Sequence, residues 1–247
     1  MKIGIMNDNL DSYEDFEEFI QLANKSCNWL VLRNFEYLPN EFFENDKDVD
    51  VLCDDLENFV KTMKLSKRSW GVSAYQTIID GKPIPFDVRF LGDGYYDKLW
   101  QYKMLDNKIF TADGVPRMND KDYFYSLIYH SKIQKHEFRE IYKIRLLNLS
   151  KSLTDVGLST NNIEDDKFIA SKLNDFMKLN HYIYTTPVDF DVPKNNVFFD
   201  LLENSVKYDI IYNLPFKLKI LKFIPTQVLK IIPFKVKKII KRVIRWN

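Results

Sequence analysis

The sequence places two aspartates two residues apart in an alternating segment, Asp48-Val49-Asp50-Val51. On a β-strand, residues two apart point to the same face of the sheet, about 7 Å from each other, while the valines anchor the opposite face on a core. Neighbouring carboxylates repel each other, and a divalent cation that prefers oxygen ligands relieves this repulsion. The segment therefore predicts a site for Mg²⁺ or Mn²⁺, with coordination positions left for phosphate and water.

A second alternating segment, Phe86 to Phe90, carries Asp87 and Arg89 on its polar face. If this strand lies beside the first, about 4.8 Å away, Asp87 joins Asp48 and Asp50 as a third carboxylate. Asp87 would then bridge metal ions or take the proton of an acceptor hydroxyl, and Arg89 would stabilise the leaving group. The alternatives are that the aspartates only edge a solvated strand, and that Arg89 forms a surface salt bridge with Asp48 or Asp50.

These segments resemble the nucleotidyltransferase superfamily, the polymerase-beta-like fold, in which an h-D-h-D-h strand (h is hydrophobic) and a later h-D-h strand supply three metal-binding carboxylates. The matching acids are Asp48, Asp50 and Asp87, and the segment from Trp29 to Asn34 takes the place of the family's first strand and turn. The family usually has Gly-Ser or Gly-Gly at this turn, where the present chain has Arg33-Asn34. Asparagine tolerates a left-handed backbone, and arginine offers a guanidinium fork for phosphate. Both residues are therefore predicted to contact nucleotide phosphate.

The acidic segment is also similar to the phosphocholine transferase family that decorates bacterial glycans, and to fukutin-related phospho-alditol transferases. The two resemblances imply a metal-dependent nucleotidyl- or phosphoryl-group transferase with a nucleotide or nucleotide-linked donor and a sugar or sugar-phosphate acceptor. The role in cell-surface glycan biosynthesis and the lipid-linked glycan acceptor are expected from the basic tail over 214–247, because such acceptors lie at a membrane surface. Two alternatives stay open, namely a non-catalytic nucleotide-binding relative and a nucleotidyltransferase that modifies nucleic acid.

Hydrophobic periodicity predicts the elements that must position these residues. It indicates a helix that starts near Asp11, followed by strands at 29–32 and 48–52 and a helix at 54–63. Two further strands, at 70–79 and 85–91, are joined by a turn at 80–83. Helices are expected over 95–105, 120–132, 138–150 and 165–179. The predicted class is α+β, with a nucleotidyltransferase-like mixed sheet flanked by helices over 1–112, a helical portion over 113–213 and a basic amphipathic tail over 214–247.

The helix predicted over 120–132 is rich in aromatic residues and ends near His130, with Lys135 just beyond it. In one interpretation, a base or sugar stacks on this helix while His130 and Lys135 bind phosphate. In the other, the aromatic stripe is core and the histidine is a packed, hydrogen-bonded residue. The two cysteines and three histidines do not have the spacing of a zinc site.

Charge is distributed unevenly along the 247 residues, although 36 basic and 35 acidic side chains give a net charge of only +1. The first 58 residues are acidic, whereas residues 214–247 contain lysines and arginines but no acid. After Pro233 the sequence predicts a helix with one apolar face and one basic face, a pattern typical of a helix on an anionic membrane surface. The residues expected at that surface are Lys238, Lys241, Arg242, Arg245 and Trp246.

Two alternatives to membrane binding stay open for the tail, and nucleic acid is the less favoured of them. The other is packing of the tail on the protein's own body. No apolar run approaches the length of a transmembrane helix, and the first residues lack the pattern of a secretory signal. We therefore expect a cytoplasmic protein that associates peripherally with a membrane. Seven glycines, against roughly 17 at average usage, disfavour a glycine-rich phosphate loop.

Overall fold

The computed structural model describes residues 12–45, 48–68, 73–135, 137–185 and 195–203. These residues fall into two compact units. Unit 1 holds the described residues up to Phe90 together with Ile109–Arg117, and unit 2 holds Leu91–Lys108 together with the described residues from Met118 onward. The sequence analysis instead places one boundary near residue 112 and a second before residue 214, and the second lies outside the described residues. The difference arises because two short strands within 109–117 extend the sheet of unit 1.

Unit 1 is built on a mixed sheet, as predicted. Its described residues form eight strands: β1 (Ser12–Tyr13), β2 (Trp29–Val31), β3 (Val49–Cys53), β4 (Ser66–Lys67), β5 (Ala74–Ile79), β6 (Lys82–Phe90), β7 (Ile109–Phe110) and β8 (Pro116–Arg117). The order across the sheet is β1-β5-β6-β3-β2-β8-β7, with β4 paired to β5. The pairs β1/β5, β3/β6 and β2/β8 are parallel and the others antiparallel. The three strands predicted to carry the site, β2, β3 and β6, therefore lie side by side.

The helices of unit 1 are α1 (Phe16–Ser26), α2 (Phe42–Asn45) and α3 (Leu56–Thr62), with a 3₁₀ turn at Phe35–Tyr37. Helix α1 begins after Asp15, whose side chain accepts a hydrogen bond from the Glu18 backbone N–H. The predicted start near Asp11 is too early because Ser12 and Tyr13 pair with β5 instead.

Aromatic packing attaches α1 and α3 to one face of the sheet. The Phe19 ring of α1 lies 5.0 Å from that of Phe86, and the Phe59 ring of α3 lies 5.9 Å from that of Trp29, centroid to centroid. Phe86 and Val88 on this face of β6 are buried, whereas Asp87 and Arg89 alternate with them and remain partly exposed. The helices therefore cover the face opposite to the predicted acidic site.

A two-residue turn joins β5 and β6 and sets their register. Ile79 pairs with Lys82, and Asp80 and Gly81 between them have φ values of 51° and 67°. Positive φ at both central residues is the geometry that matches the twist of a tight hairpin. The hairpin predicted at 80–83 is thereby confirmed.

Unit 2 is helical in its described part, as predicted. It contains α4 (Lys98–Asp106), α5 (Asp120–Tyr129), α6 (Glu140–Ser150), α7 (Asp166–Leu179) and α8 (Asn196–Phe199), with a π-helical turn at His130–Gln134 directly after α5. Asp97, Asn119 and Asp165 cap α4, α5 and α7 by accepting backbone N–H groups. Within the described residues, no helix is long and apolar enough to cross a membrane.

Candidate functional site

Asp50 and Asp87 lie on the neighbouring parallel strands β3 and β6 and are register partners. The paired stretch runs from Val49 opposite Phe86 to Cys53 opposite Phe90. Paired residues of adjacent strands point to the same face, with the strands about 4.8 Å apart. The two carboxylates therefore lie side by side, on strands that are neighbours, which is the condition under which the sequence analysis brings these acids together.

Arg33 forms an ion pair with Asp50 at the end of β2. The Leu32 backbone N–H donates a hydrogen bond of 2.8 Å to the Asp50 carbonyl, which holds this end of β2 against β3. Arg33 Nη2 lies 2.7 Å from Asp50 Oδ1, and the two side chains are only 6% and 15% exposed. The guanidinium predicted to bind phosphate thus contacts a carboxylate predicted to bind metal.

Arg89 forms the corresponding pair with Asp87. Arg89 Nη2 donates to Asp87 Oδ2 at 2.9 Å, with the side chains 14% and 28% exposed. The prediction that these residues share a strand face is confirmed, and Arg89 pairs with Asp87 within its own strand. The second oxygen, Asp87 Oδ1, is buried and accepts no hydrogen bond from the described residues.

We call Arg33, Asp50, Asp87 and Arg89 the Arg–Asp cluster. Its two formal positive charges balance its two formal negative charges. Burial raises the pKa of Asp50; the Arg33 charge opposes this rise, while the charges of Asp87 and Asp48 add to it. Burial also acts to raise the pKa of Asp87, but the Arg89 charge, the Ser73 side chain and the Arg33 charge together hold it below its ordinary value. The two neighbouring carboxyls therefore differ in their affinity for a proton.

Asp48 is exposed and directly precedes β3. Among the described residues, no group of three or more His, Cys, Asp or Glu side chains is arranged to hold a metal ion. The pair Asp50 and Asp87 nevertheless suits Mg²⁺ or Mn²⁺, because both are oxygen donors and Asp87 Oδ1 is buried without a hydrogen-bond partner in this part of the chain. Mg²⁺ is usually bound through one or two carboxylates plus substrate phosphates rather than by an all-protein cage. The donor set fits a cation that shares its coordination with phosphate.

Asn34 adopts the left-handed conformation that the sequence analysis allows for asparagine, with φ 59° and ψ 20°. Its carbonyl accepts the Tyr37 backbone N–H at 3.1 Å and so starts the 3₁₀ turn, in which Phe35 is buried. Asn34 therefore adopts a backbone conformation that glycine reaches without steric cost.

His130 and Lys135 belong to unit 2, whereas the Arg–Asp cluster belongs to unit 1. His130 is 3% exposed, and its Nδ1 lies 3.2 Å from both the Tyr95 hydroxyl and Gln134 Oε1. Lys135 is exposed, and its backbone N–H donates to the His130 carbonyl at 2.8 Å. The contacts of His130 are those of the packed, hydrogen-bonded histidine weighed as the alternative above, and we do not include it in the proposed site.

Arg68 is a candidate residue that the sequence analysis missed. It directly follows β4, and its backbone N–H donates a hydrogen bond of 3.1 Å to the carbonyl of Ala74. Ala74 lies on β5 and is the register partner of Asp87. The β4/β5 register places Arg68 beside Ala74 and therefore on the same sheet face as Asp87. Its side chain is exposed. In the sequence, the basic pair Lys67-Arg68 marks this position.

The residues predicted to contact a membrane, Lys238, Lys241, Arg242, Arg245 and Trp246, lie outside the described residues.

No protein-family model and no curated protein matches this chain.

Proposed function

We propose that unit 1 is the core of a Mg²⁺- or Mn²⁺-dependent transferase that moves a nucleotidyl or phosphoryl group from a nucleotide or nucleotide-linked donor to a sugar or sugar-phosphate. The observation that carries this proposal is the register pairing of Asp50 with Asp87, with an arginine on each carboxylate. The resemblance of β2, β3 and β6 to the nucleotidyltransferase pattern supports it. The left-handed turn at Asn34 supports it further, because this turn tolerates the loss of the usual glycine.

The residues of the cluster have distinct roles in this proposal. Asp50 and Asp87 hold the cation, which supplies charge neutralisation at the phosphate oxygens when bound. Asp87 Oδ1 has no hydrogen-bond partner among the described residues, so its carboxylate can accept a hydrogen bond from the acceptor hydroxyl. Arg33 and Arg89 present guanidinium forks that match phosphate oxygens in pairs.

Arg68 is a further phosphate contact in this proposal, because it adds an exposed positive charge on the same sheet face. Unlike Arg33 and Arg89, it has no ion pair with a carboxylate among the described residues. The cluster balances its own charge, so Arg68 is the cation that attracts an incoming anion.

The acceptor class and the membrane association rest on the sequence of the tail. Residues 214–247 combine basic and apolar positions without an acid, which suits the surface of an anionic bilayer. A transferase held at such a surface meets lipid-linked glycan acceptors there. We therefore propose peripheral membrane association and a role in cell-surface glycan biosynthesis.

A second candidate function is nucleotide binding without catalysis. It is favoured by the two ion pairs, because Arg33 and Arg89 already neutralise Asp50 and Asp87 at 2.7 Å and 2.9 Å without a cation. A site of this kind would bind a nucleotide but release no product from it.

Thermal unfolding with CTP, ATP and CDP-linked donors, each with and without Mg²⁺, tests the proposed function. A nucleotide at 100 times its Kd stabilises the folded state by about 2.7 kcal/mol. We expect stabilisation that requires the cation in the wild type, and loss of this Mg²⁺ dependence in Asp50→Asn and in Asp87→Asn. The matched control is Asp80→Asn, which removes an exposed carboxylate paired with Lys82 and should respond as the wild type does. Absence of any nucleotide effect, with or without Mg²⁺, would refute the proposal.

Product analysis separates the two candidate functions. We expect the wild-type protein to release pyrophosphate or a nucleoside phosphate from the stabilising donor when a sugar-phosphate acceptor is present, and Asp87→Asn to release none. Stabilisation by a nucleotide with no product from any acceptor supports the non-catalytic candidate.

A further inference from the structure

Each charged group of the Arg–Asp cluster already has a partner of opposite charge within the cluster. A ligand that binds one of these groups would have to displace that partner. Arg33 Nη2 lies 2.7 Å from Asp50 Oδ1, and Arg89 Nη2 lies 2.9 Å from Asp87 Oδ2. A carboxylate oxygen that accepts a guanidinium hydrogen bond at this distance cannot bind a metal ion from the same direction. The same guanidinium atoms would have to turn away from the carboxylates to bind phosphate.

Burial makes this exchange costly if only one ligand arrives. The side chains of Arg33, Asp50 and Arg89 are between 6% and 15% exposed, so water screens their charges poorly. A buried charge left without its partner costs several kcal/mol. A divalent cation alone would leave two guanidinium groups beside an additional +2 charge, and a polyphosphate alone would meet two carboxylates.

We propose that Arg33 and Arg89 exchange partners, from the carboxylates to the donor's phosphates, so that the site takes a divalent cation and a polyphosphate only together. This inference rests on the proposed function and adds the form of the ligand, which is a metal–polyphosphate complex rather than either component. With both ligands present, the carboxylates face the cation and the guanidinium groups face the phosphates. Every buried charge then retains an opposite charge beside it.

If the arginines exchange partners, removing an arginine should favour binding of the cation alone. Removing an aspartate should favour binding of polyphosphate alone. In Arg33→Met and Arg89→Met the carboxylates lose their competing cations, so Mn²⁺ alone should bind at least about 10-fold more tightly than to the wild type. In Asp50→Asn and Asp87→Asn the arginines lose their competing anions. Inorganic tripolyphosphate with EDTA present should then bind at least about 10-fold more tightly than to the wild type.

The experiment is a set of calorimetric titrations on the full chain with Mn²⁺ alone, with tripolyphosphate plus EDTA, and with Mn²⁺·ATP. Lys82→Met and Asp80→Asn serve as matched controls, because this exposed pair carries the same charges and should shift neither titration. Far-UV circular dichroism checks folding. If Arg33→Met fails to fold, the less buried Arg89→Met carries the arginine side of the test.

The outcomes separate this inference from the proposed function. Tighter Mn²⁺ binding in an arginine variant, together with tighter metal-free tripolyphosphate binding in an aspartate variant, supports exchange. If the wild type binds Mn²⁺·ATP but the arginine variants bind Mn²⁺ no more tightly than it does, exchange is wrong and the proposed function stands. If the wild type binds none of the three ligands, both are wrong.

Discussion

Asp50 and Asp87 are register partners on parallel strands, although a helix and two strands separate them in the chain. Two neighbouring carboxylates in a partly buried position repel each other, and positive charge close to them offsets this repulsion. The fold supplies that charge from two directions, because Arg33 reaches Asp50 from the end of β2 and Arg89 reaches Asp87 from two residues further along β6. The same four residues thus balance one another's charges within the sheet and form the proposed site.

Arg33→Met should lower the free energy of unfolding by about 3–5 kcal/mol, because it leaves the Asp50 carboxylate without its closest positive charge in a buried place. Urea unfolding measures this loss. The control is Lys121→Met, which breaks the exposed pair with Asp155 and should cost less than about 1 kcal/mol. Equal losses in the two variants would show that the Arg33–Asp50 pair contributes no more than a surface ion pair.

Asp122 should make the stability of the protein depend on pH. Burial raises the pKa of its carboxyl, although the Trp100 indole N–H, Asn119 and the Lys121 charge act against that rise. Between the ordinary value of 3.8 and the raised folded value, the folded protein binds more protons than the unfolded chain. The contribution of Asp122 to the free energy of unfolding therefore falls as pH rises through this window.

Comparison with Asp122→Asn isolates that contribution, because asparagine keeps an oxygen for the Trp100 N–H, which donates to Asp122 at 2.9 Å, but does not titrate. We expect the wild type to gain stability relative to the variant as pH is lowered from about 7 to about 4. Chemical unfolding at a series of pH values measures the difference. A difference that stays constant, or that changes in the other direction, contradicts the raised pKa.

Gly81→Ala should destabilise the protein by about 1–2 kcal/mol, because a Cβ is strained at φ 67°. No atom lies within 4 Å of the position that a Cβ would take, so steric contact adds nothing to this cost. Thermal unfolding measures the loss. Asp80→Asn is the matched control in the same turn, because asparagine also tolerates positive φ, and its effect should stay within about 0.5 kcal/mol.

Replacing the four basic residues of the terminal segment, Lys238, Lys241, Arg242 and Arg245, with glutamine should abolish binding to anionic vesicles. Each basic residue near such a surface contributes about 1 kcal/mol, so the four together contribute roughly 4 kcal/mol, or about a thousandfold in partitioning. Vesicle flotation with phosphatidylserine-containing and purely zwitterionic membranes measures this effect. The control replaces four exposed lysines elsewhere, Lys61, Lys98, Lys151 and Lys167, with glutamine. If both variants float as the wild type does, the tail is not the membrane contact.

The sequence predicted most elements correctly where the periodicity was long or the turn chemistry specific. Helices α4 to α7 lie within a few residues of their predicted bounds, whereas the four-residue α8 was not predicted. The tight turn at Asp80-Gly81 joins the two strands it was expected to join. The short strands β1, β4, β7 and β8 were missed, since two residues are too few to show a period of two. Their pairing also moved the division between the units away from residue 112.

The sequence by itself determined which charged residues share a face of the site strands, because alternation places Asp48 with Asp50 and Asp87 with Arg89. It also determined that a left-handed turn after β2 was available to Asn34. Only the tertiary structure decided that β3 and β6 are adjacent and parallel, so that Asp50 meets Asp87, and that Arg33 reaches Asp50. The physical reason is that strand order and ion pairing depend on contacts between residues distant in the chain, which local periodicity does not encode.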